Sequence, residues 1–317
     1  MSSLWSQVTV AGTFSYPSHM GDGDNNKNLG YHYGDYKTIL SPKGGMNLYR
    51  GCTHGCIYCD TRSECYQLKN DLEDVEVKRN AAAILEAQLM RKRKPQMIST
   101  GSMCDSYIPL EGELGVTRQC LEVVARYGFG LAILTKSTLI TRDLDLLKRI
   151  NEQSKCVVQT TFTTYDEDLC RKLEPHVATT KERYQMLQVM RDAGIPTVVW
   201  LGPFLPYIND SEENLRGLLD YCARAEVKGI LCFGFGMTLR AGSRDYYYQQ
   251  LDGLFPGMKE RYINDFGDDY SIRVPKHAQL WSIFEEFCRK NGIMYKSDEV
   301  WDYLGSFPEK HEQLELF

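Results

Sequence analysis

The sequence has no apolar run long enough to cross a bilayer, which argues against a helical membrane span. Its start, MSSLWSQVTVAG, lacks the basic stretch followed by an apolar block that marks a secretory leader, so a cytoplasmic location is expected. Positive charge is not in excess: 37 Lys and Arg against 42 Asp and Glu leave a net charge of −5, whereas nucleic-acid-binding domains are usually basic. The one dense basic run, Arg91-Lys92-Arg93-Lys94, follows an expected helix and complements the dipole at its C-terminus. An acidic average still leaves room for a local positive groove. No internal repeat or low-complexity linker interrupts the chain. A second C-x2-C pair is also missing, which weakens a zinc site built from two separated pairs. Eleven cysteines without a secretory leader point to a reducing compartment rather than a disulfide scaffold.

What is present is concentrated in nine residues, Gly51-Cys52-Thr53-His54-Gly55-Cys56-Ile57-Tyr58-Cys59. The spacing C-x3-C-x2-C supplies three thiolates, and a [4Fe–4S] cube takes four, so one iron would stay open to another ligand. Two plainer readings stand beside this one. Zinc could use the three cysteines with His54, and reduced cysteines also pack as small hydrophobes. Gly51 and Gly55 favour the cluster, since a loop wrapping it closely leaves no space for side chains. The remaining eight cysteines are scattered singly, so no second cluster is expected.

At 317 residues, 43% hydrophobic and 25% charged, the chain can bury one large core. Residues 1–36 read as an irregular extension. Strands are expected at Asn47–Arg50, Met97–Thr100, Leu131–Leu134, Val157–Thr161, Thr197–Leu201 and Gly229–Phe233. Helices are expected between them at 75–94, 113–127, 142–150, 181–193 and 212–225, the last capped by Ser211. This alternation predicts an α/β fold, a partial (β/α)6 TIM-like barrel over residues 37–235, with the site at the strand C-termini. Residues 236–317 are expected to form a mainly helical extension, including a helix at 278–291 stopped by Gly292.

The cysteine run resembles the signature of the radical S-adenosylmethionine (radical SAM) enzymes. That resemblance implies a [4Fe–4S] cluster on Cys52, Cys56 and Cys59. Its open iron would chelate S-adenosylmethionine, whose reductive cleavage to a 5′-deoxyadenosyl radical starts hydrogen abstraction. Four further stretches resemble the spore photoproduct lyase-like group, also called DNA repair photolyase-like. They are residues 100–111; Leu134–Ser137 with Arg142-Asp143; Thr160-Thr161 with Leu173-Glu174-Pro175; and Gly194-Ile195-Pro196 with residues 202–206. Together they span the expected barrel.

The resemblance and the strand-end positions nominate cofactor-binding residues. Lys136 would pair with the S-adenosylmethionine carboxylate, Ser102 and Thr161 offer hydroxyls, and Tyr58 would pack against adenine. A surface lysine, turn hydroxyls and a core tyrosine are the alternatives. Asp105 and Glu111 would bind substrate or fix loops, and Glu174 with Arg183 reads as a structural ion pair. Two departures tell against thymine-dimer reversal. Ser102 stands where spore photoproduct lyases carry a hydrogen-donating cysteine, and Asp60 replaces the tyrosine after the last ligand. Cys104 is the nearest thiol for that donor role, with an ordinary buried cysteine as the alternative.

The chain finishes Gln313-Leu314-Glu315-Leu316-Phe317, which resembles the peptide that docks bacterial repair proteins on the DNA sliding clamp. Folding back onto the barrel is the other reading. The expected protein is therefore a lyase-like radical SAM enzyme acting on nucleic acid in DNA repair or modification, fed by a low-potential flavodoxin- or ferredoxin-type donor. Enzymes using the same radical start on a peptide, tRNA or metabolite are the alternative, as is a clamp-bound adaptor with a structural or redox-sensing cluster.

Overall fold

A computed structural model describes residues 30–308. In chain order the elements begin with β1 (Tyr31–Gly34), β2 (Gly45–Met46), β3 (Tyr49–Arg50), β4 (Val75–Lys78), α1 (Ala81–Met90) and β5 (Met97–Thr100). They continue through α2 (Glu111–Leu114), α3 (Val116–Arg126), β6 (Gly130–Leu134), α4 (Leu144–Gln153), β7 (Cys156–Phe162), α5 (Glu167–Leu173) and α6 (Thr180–Asp192). The remainder is β8 (Thr197–Leu201), α7 (Glu212–Arg224), β9 (Gly229–Leu231), β10 (Gly236–Thr238), α8 (Ser243–Leu254), α9 (Met258–Phe266), β11 (Ser271–Arg273), α10 (His277–Asn291) and α11 (Ser297–Gly305).

Six strands, in the order β2-β5-β6-β7-β8-β9, form one wholly parallel sheet. Helices cross over between them, and the sheet curls into the open barrel that such units produce. Alternation along each strand sorts the two faces. On β6, Leu131 and Ile133 face the surrounding helices and meet Leu121, Leu147 and Leu187 in the main core. Ala132 faces the concave side, where Val157, Val198 and Leu231 join Val300 and Leu304 of α11. Helix α11 thus plugs the concave side at the early strand positions. Later positions on the same strands, Leu134, Thr161 and Trp200, line an open cavity. The extension also covers β9, because Ile230 N–H donates to Met294 O at 2.8 Å.

The strands Met97–Thr100 and Thr197–Leu201 agree with their expected bounds, and Ser211 caps α7 by accepting from Asn214 N–H. Other elements depart from expectation. Residues 75–94 are not one helix. Val75 and Val77 are buried and alternate with Glu76 and Lys78, so β4 forms a strand, and Asn80 in a left-handed conformation separates it from α1. The first barrel strand is β2, whereas Tyr49–Arg50 pairs antiparallel with β4. Tyr31–Gly34 is a strand of this same small sheet, where irregular chain was expected. Gly115, at φ +62°, divides the helix expected over 113–127. The extension contains the antiparallel pair β10–β11 besides its helices.

Candidate active site

The cysteine loop leaves β3 through Gly51, at φ +105°, where a Cβ would stand 2.8 Å from Leu72 O. Its far side is fastened to the α5–α6 connection, with Ile57 N–H donating to Leu173 O and His176 N–H to His54 O. Cys52, Cys56 and Cys59 all line one cavity of about 540 Å³ at the strand C-termini, within the usual range for a ligand site. Burial pushes the Cys56 thiol up to about 12 despite the nearby Lys136 ammonium, and burial likewise holds Cys52 well above the ordinary value. Such thiols would be deprotonated on binding iron, releasing their protons to solvent. Among the described residues no three His, Cys, Asp or Glu groups converge on one point. Three cysteines lining one cavity suit a [4Fe–4S] cube with one open iron. His54 is also committed elsewhere. Its Nδ1 lies 3.3 Å from His176 O, and its Nε2 lies 3.0 Å from Asp105 Oδ2 without hydrogen-bond alignment.

A dry polar knot lies beneath the thiols. Glu174 and Arg183 form an ion pair with both side chains fully buried. Tyr58 OH donates to Glu174 and lies 3.0 Å from Thr163 Oγ1, while Arg183 Nη1 donates to Thr161 O at 2.7 Å. Lys136 Nζ is 3.8 Å from Glu174 Oε1 and 4.0 Å from Cys56 Sγ. Burial would raise the Glu174 pKa, but Arg183 and Lys136 outweigh it and hold the carboxyl at about 2. Burial likewise disfavours the Lys136 ammonium, and Cys56 with Glu174 more than restores it. Lys136 therefore stays cationic beside the thiols, with one side open to the cavity. Its ammonium also stands 5.4 Å above the Tyr58 ring.

The loop after β5 is set by Asp105. This buried carboxylate accepts from Tyr107 N–H at 2.8 Å, Thr135 Oγ1 at 2.7 Å and Lys136 N–H at 2.8 Å. Burial opposes its charge, yet His54 and these donors keep its pKa below the usual value. Asp105 is thus the brace that presents Lys136. Glu111 is a second brace outside the cavity, bound by Tyr49 OH, Thr117 N–H and Arg142 Nη2.

Of the expected site residues, the structure gathers Cys52, Cys56, Cys59, Tyr58, Ser102, Lys136 and Thr161 around this cavity. Cys104 is set apart. It is buried in the main core, and Met103 and Ser102 face the cavity instead. Gly101, at φ +97°, opens this loop, where a Cβ would stand 1.8 Å from Leu134 O. The expected tail Gln313, Leu314, Leu316 and Phe317 lies outside the described residues.

Sequence reasoning missed the opposite wall, which the extension builds from Met237, Thr238, Ile272, Arg273 and His277. Asp60, directly after Cys59, joins the two walls. It accepts from Tyr66 OH at 2.9 Å, and Thr238 Oγ1 and Arg240 Nε lie at 3.3 and 3.4 Å. The alternation Phe233-Gly234-Phe235-Gly236 was the available signal, because glycines there let β10 approach the Ile272 backbone.

A family model describing the radical SAM superfamily matches residues 46–219, just over half of the chain. The chain belongs to the radical SAM superfamily. The match runs from β2 into α7, the elements that place the cysteine loop, Lys136 and Thr161. Membership brings with it a [4Fe–4S] cluster and S-adenosylmethionine as cofactors.

It is similar to an uncharacterized protein of Mycobacterium tuberculosis (strain ATCC 25618 / H37Rv), 32% identical over 223 residues, 68% of this chain and 65% of that one. The chain thus spans about 65% of the length of the curated relatives it matches first. An uncharacterized protein of Methanocaldococcus jannaschii is 29% identical over 176 residues, 55% of this chain and 65% of that one. Among solved structures, a point mutant of spore photoproduct lyase has a TM-score of 0.61 at 13% identity, covering 88% of each chain. Spore photoproduct lyase complexed with dinucleoside spore photoproduct has a TM-score of 0.58 at 14% identity, covering 87% of each. At these identities the likeness is one of fold.

Proposed function

We propose that this radical SAM enzyme abstracts hydrogen from a damaged or modified base in nucleic acid. In this reading Cys52, Cys56 and Cys59 would hold the cluster through three of its irons, with Lys136 lining the same cavity. When bound, the reduced cluster gives one electron to S-adenosylmethionine, releasing methionine and a 5′-deoxyadenosyl radical that takes a hydrogen atom from the substrate. The chain's own residues bind, orient and shield. The Lys136 ammonium meets the cofactor carboxylate, Ser102 and Thr161 offer hydroxyls at two other strand ends, and Tyr58 presents a ring held fast through its phenol. The catalytic unit is the barrel of residues 37–235, and Met237, Thr238, Ile272, Arg273 and His277 of the extension complete the cavity wall.

The observation that carries this reading is the shared cavity. Three thiols and a lysine with one open side occupy its floor, and the space above them is roofed by the extension. Nucleic acid is favoured as substrate because the same fold carries a dinucleoside spore photoproduct in spore photoproduct lyase. Thymine-dimer reversal is disfavoured because Ser102 lines the cavity while Cys104 is turned into the wall. The setting proposed is the cytosol, with a flavodoxin- or ferredoxin-type donor. Deuterium at candidate positions of ultraviolet-damaged or modified DNA should appear in 5′-deoxyadenosine. Label arriving only from peptides or small metabolites would overturn the assignment.

A further inference from the structure

Phe233 is 67% exposed although it lines the cavity, so it stands at the mouth rather than on the floor. It is not an isolated apolar residue. Its ring meets Trp200 edge-on at 5.7 Å, and Trp200 in turn meets Trp301 of α11 at 5.6 Å. The Trp200 indole N–H is satisfied by Gln159 Oε1 at 2.9 Å, which fixes the ring from inside the barrel. Trp200 thus braces an aromatic shelf whose outer member, Phe233, is left uncovered.

Arg273 is likewise exposed and lines the same cavity. Among the described residues it has no carboxylate partner, although most arginines of this chain are paired. Gly234, at φ +106°, lines the cavity next to Phe233 in the chain. A Cβ there would stand 3.3 Å from His277 Nε2, so the glycine keeps this passage open. An aromatic surface and an unpaired guanidinium lining one cavity suit a ligand that carries both a flat ring and an anion.

We propose that this mouth binds one unstacked nucleotide of a single strand, with its base on Phe233 and its phosphodiester on Arg273. The proposal rests on the nucleic-acid reading above. A cavity of about 540 Å³ that also receives S-adenosylmethionine has no room for a duplex, so a base must leave its stack to approach the thiols. Stacking on an aromatic face is tolerant of base identity, and the arginine adds charge without sequence preference.

The test uses full-length reconstituted protein and a fluorescent oligothymidylate of about eight nucleotides, with affinity read by anisotropy over a salt series. Phe233→Ala should weaken binding about five- to hundredfold, and Phe233→Trp should retain it. Arg273→Gln should flatten the slope of log affinity against log salt by about 0.7, the value for one phosphate on a single strand. The single strand should bind more tightly than the matching duplex. Unaltered melting temperatures in all three variants exclude misfolding as the cause. Normal oligonucleotide binding by Phe233→Ala, or an unchanged salt slope in Arg273→Gln, would overturn the assignment while leaving the nucleic-acid reading intact. Absence of oligonucleotide binding by the unmodified protein would overturn both. Displacement of the oligonucleotide by an aromatic peptide at equal concentration would make the mouth a peptide site.

Discussion

Replacing Glu174 by Gln removes one charge from a place where no water can compensate for it. The Glu174 and Arg183 side chains are fully buried, and Lys136 stands 3.8 Å from the same carboxylate. The carboxyl is held at about 2 against an ordinary 4.5, a preference for charge of about 3 kcal/mol. Leaving one member of a buried pair without its partner costs about 3–5 kcal/mol. Glutamine has nearly the same size, so the loss isolates charge from packing. In a chain of this length it should lower the melting temperature by about 5–7 °C, read by calorimetry on the reconstituted protein. Adding Arg183→Met removes the stranded cation and should recover part of the loss. The sign with pH follows from a depressed carboxylate: the stabilisation is complete above about 4.5 and disappears as pH falls through about 2. A decrease of less than about 2 °C, or a double variant that merely sums the two single losses, would refute a dry, paired carboxylate.

Asp105→Asn leaves at least one of three donors unsatisfied in a buried place, which should cost about 1–3 kcal/mol in urea unfolding. An unchanged midpoint would remove Asp105 as the brace of Lys136. Lys136→Met should raise the S-adenosylmethionine Kd about tenfold or more by calorimetry, the scale of one lost charged contact. An unchanged Kd would reduce Lys136 to a countercharge for Cys56 and Glu174.

Much of the barrel was legible because parallel strands buried on both faces are short apolar runs, as in Leu131–Leu134 and Thr197–Leu201. The cysteine loop was legible because its spacing is chemically specific. Errors arose where two periodicities compete. Val75-Glu76-Val77-Lys78 alternates like a strand but runs into alanines, and only its pairing with Tyr31–Gly34 and Tyr49–Arg50 decides the matter. The Glu174–Arg183 pair was visible in sequence, but its links to Tyr58 and Lys136 depend on distant elements converging. The cavity's second wall was hidden for the same reason: Arg273 and His277 lie more than two hundred residues from the cysteines they face. Cys104 shows the limit of proximity in sequence. Two residues from Ser102, it packs in the core while Ser102 lines the cavity.

The central claim is that Cys52, Cys56 and Cys59 hold the cluster that activates S-adenosylmethionine. Its most direct test is anaerobic reconstitution with iron and sulfide, addition of S-adenosylmethionine and a strong reductant, and quantification of 5′-deoxyadenosine beside a Cys56→Ala control. The account predicts product from the unmodified protein and none from the control. Equal product from both, or none from an unmodified protein carrying a full cluster and supplied with single-stranded damaged DNA, would contradict it.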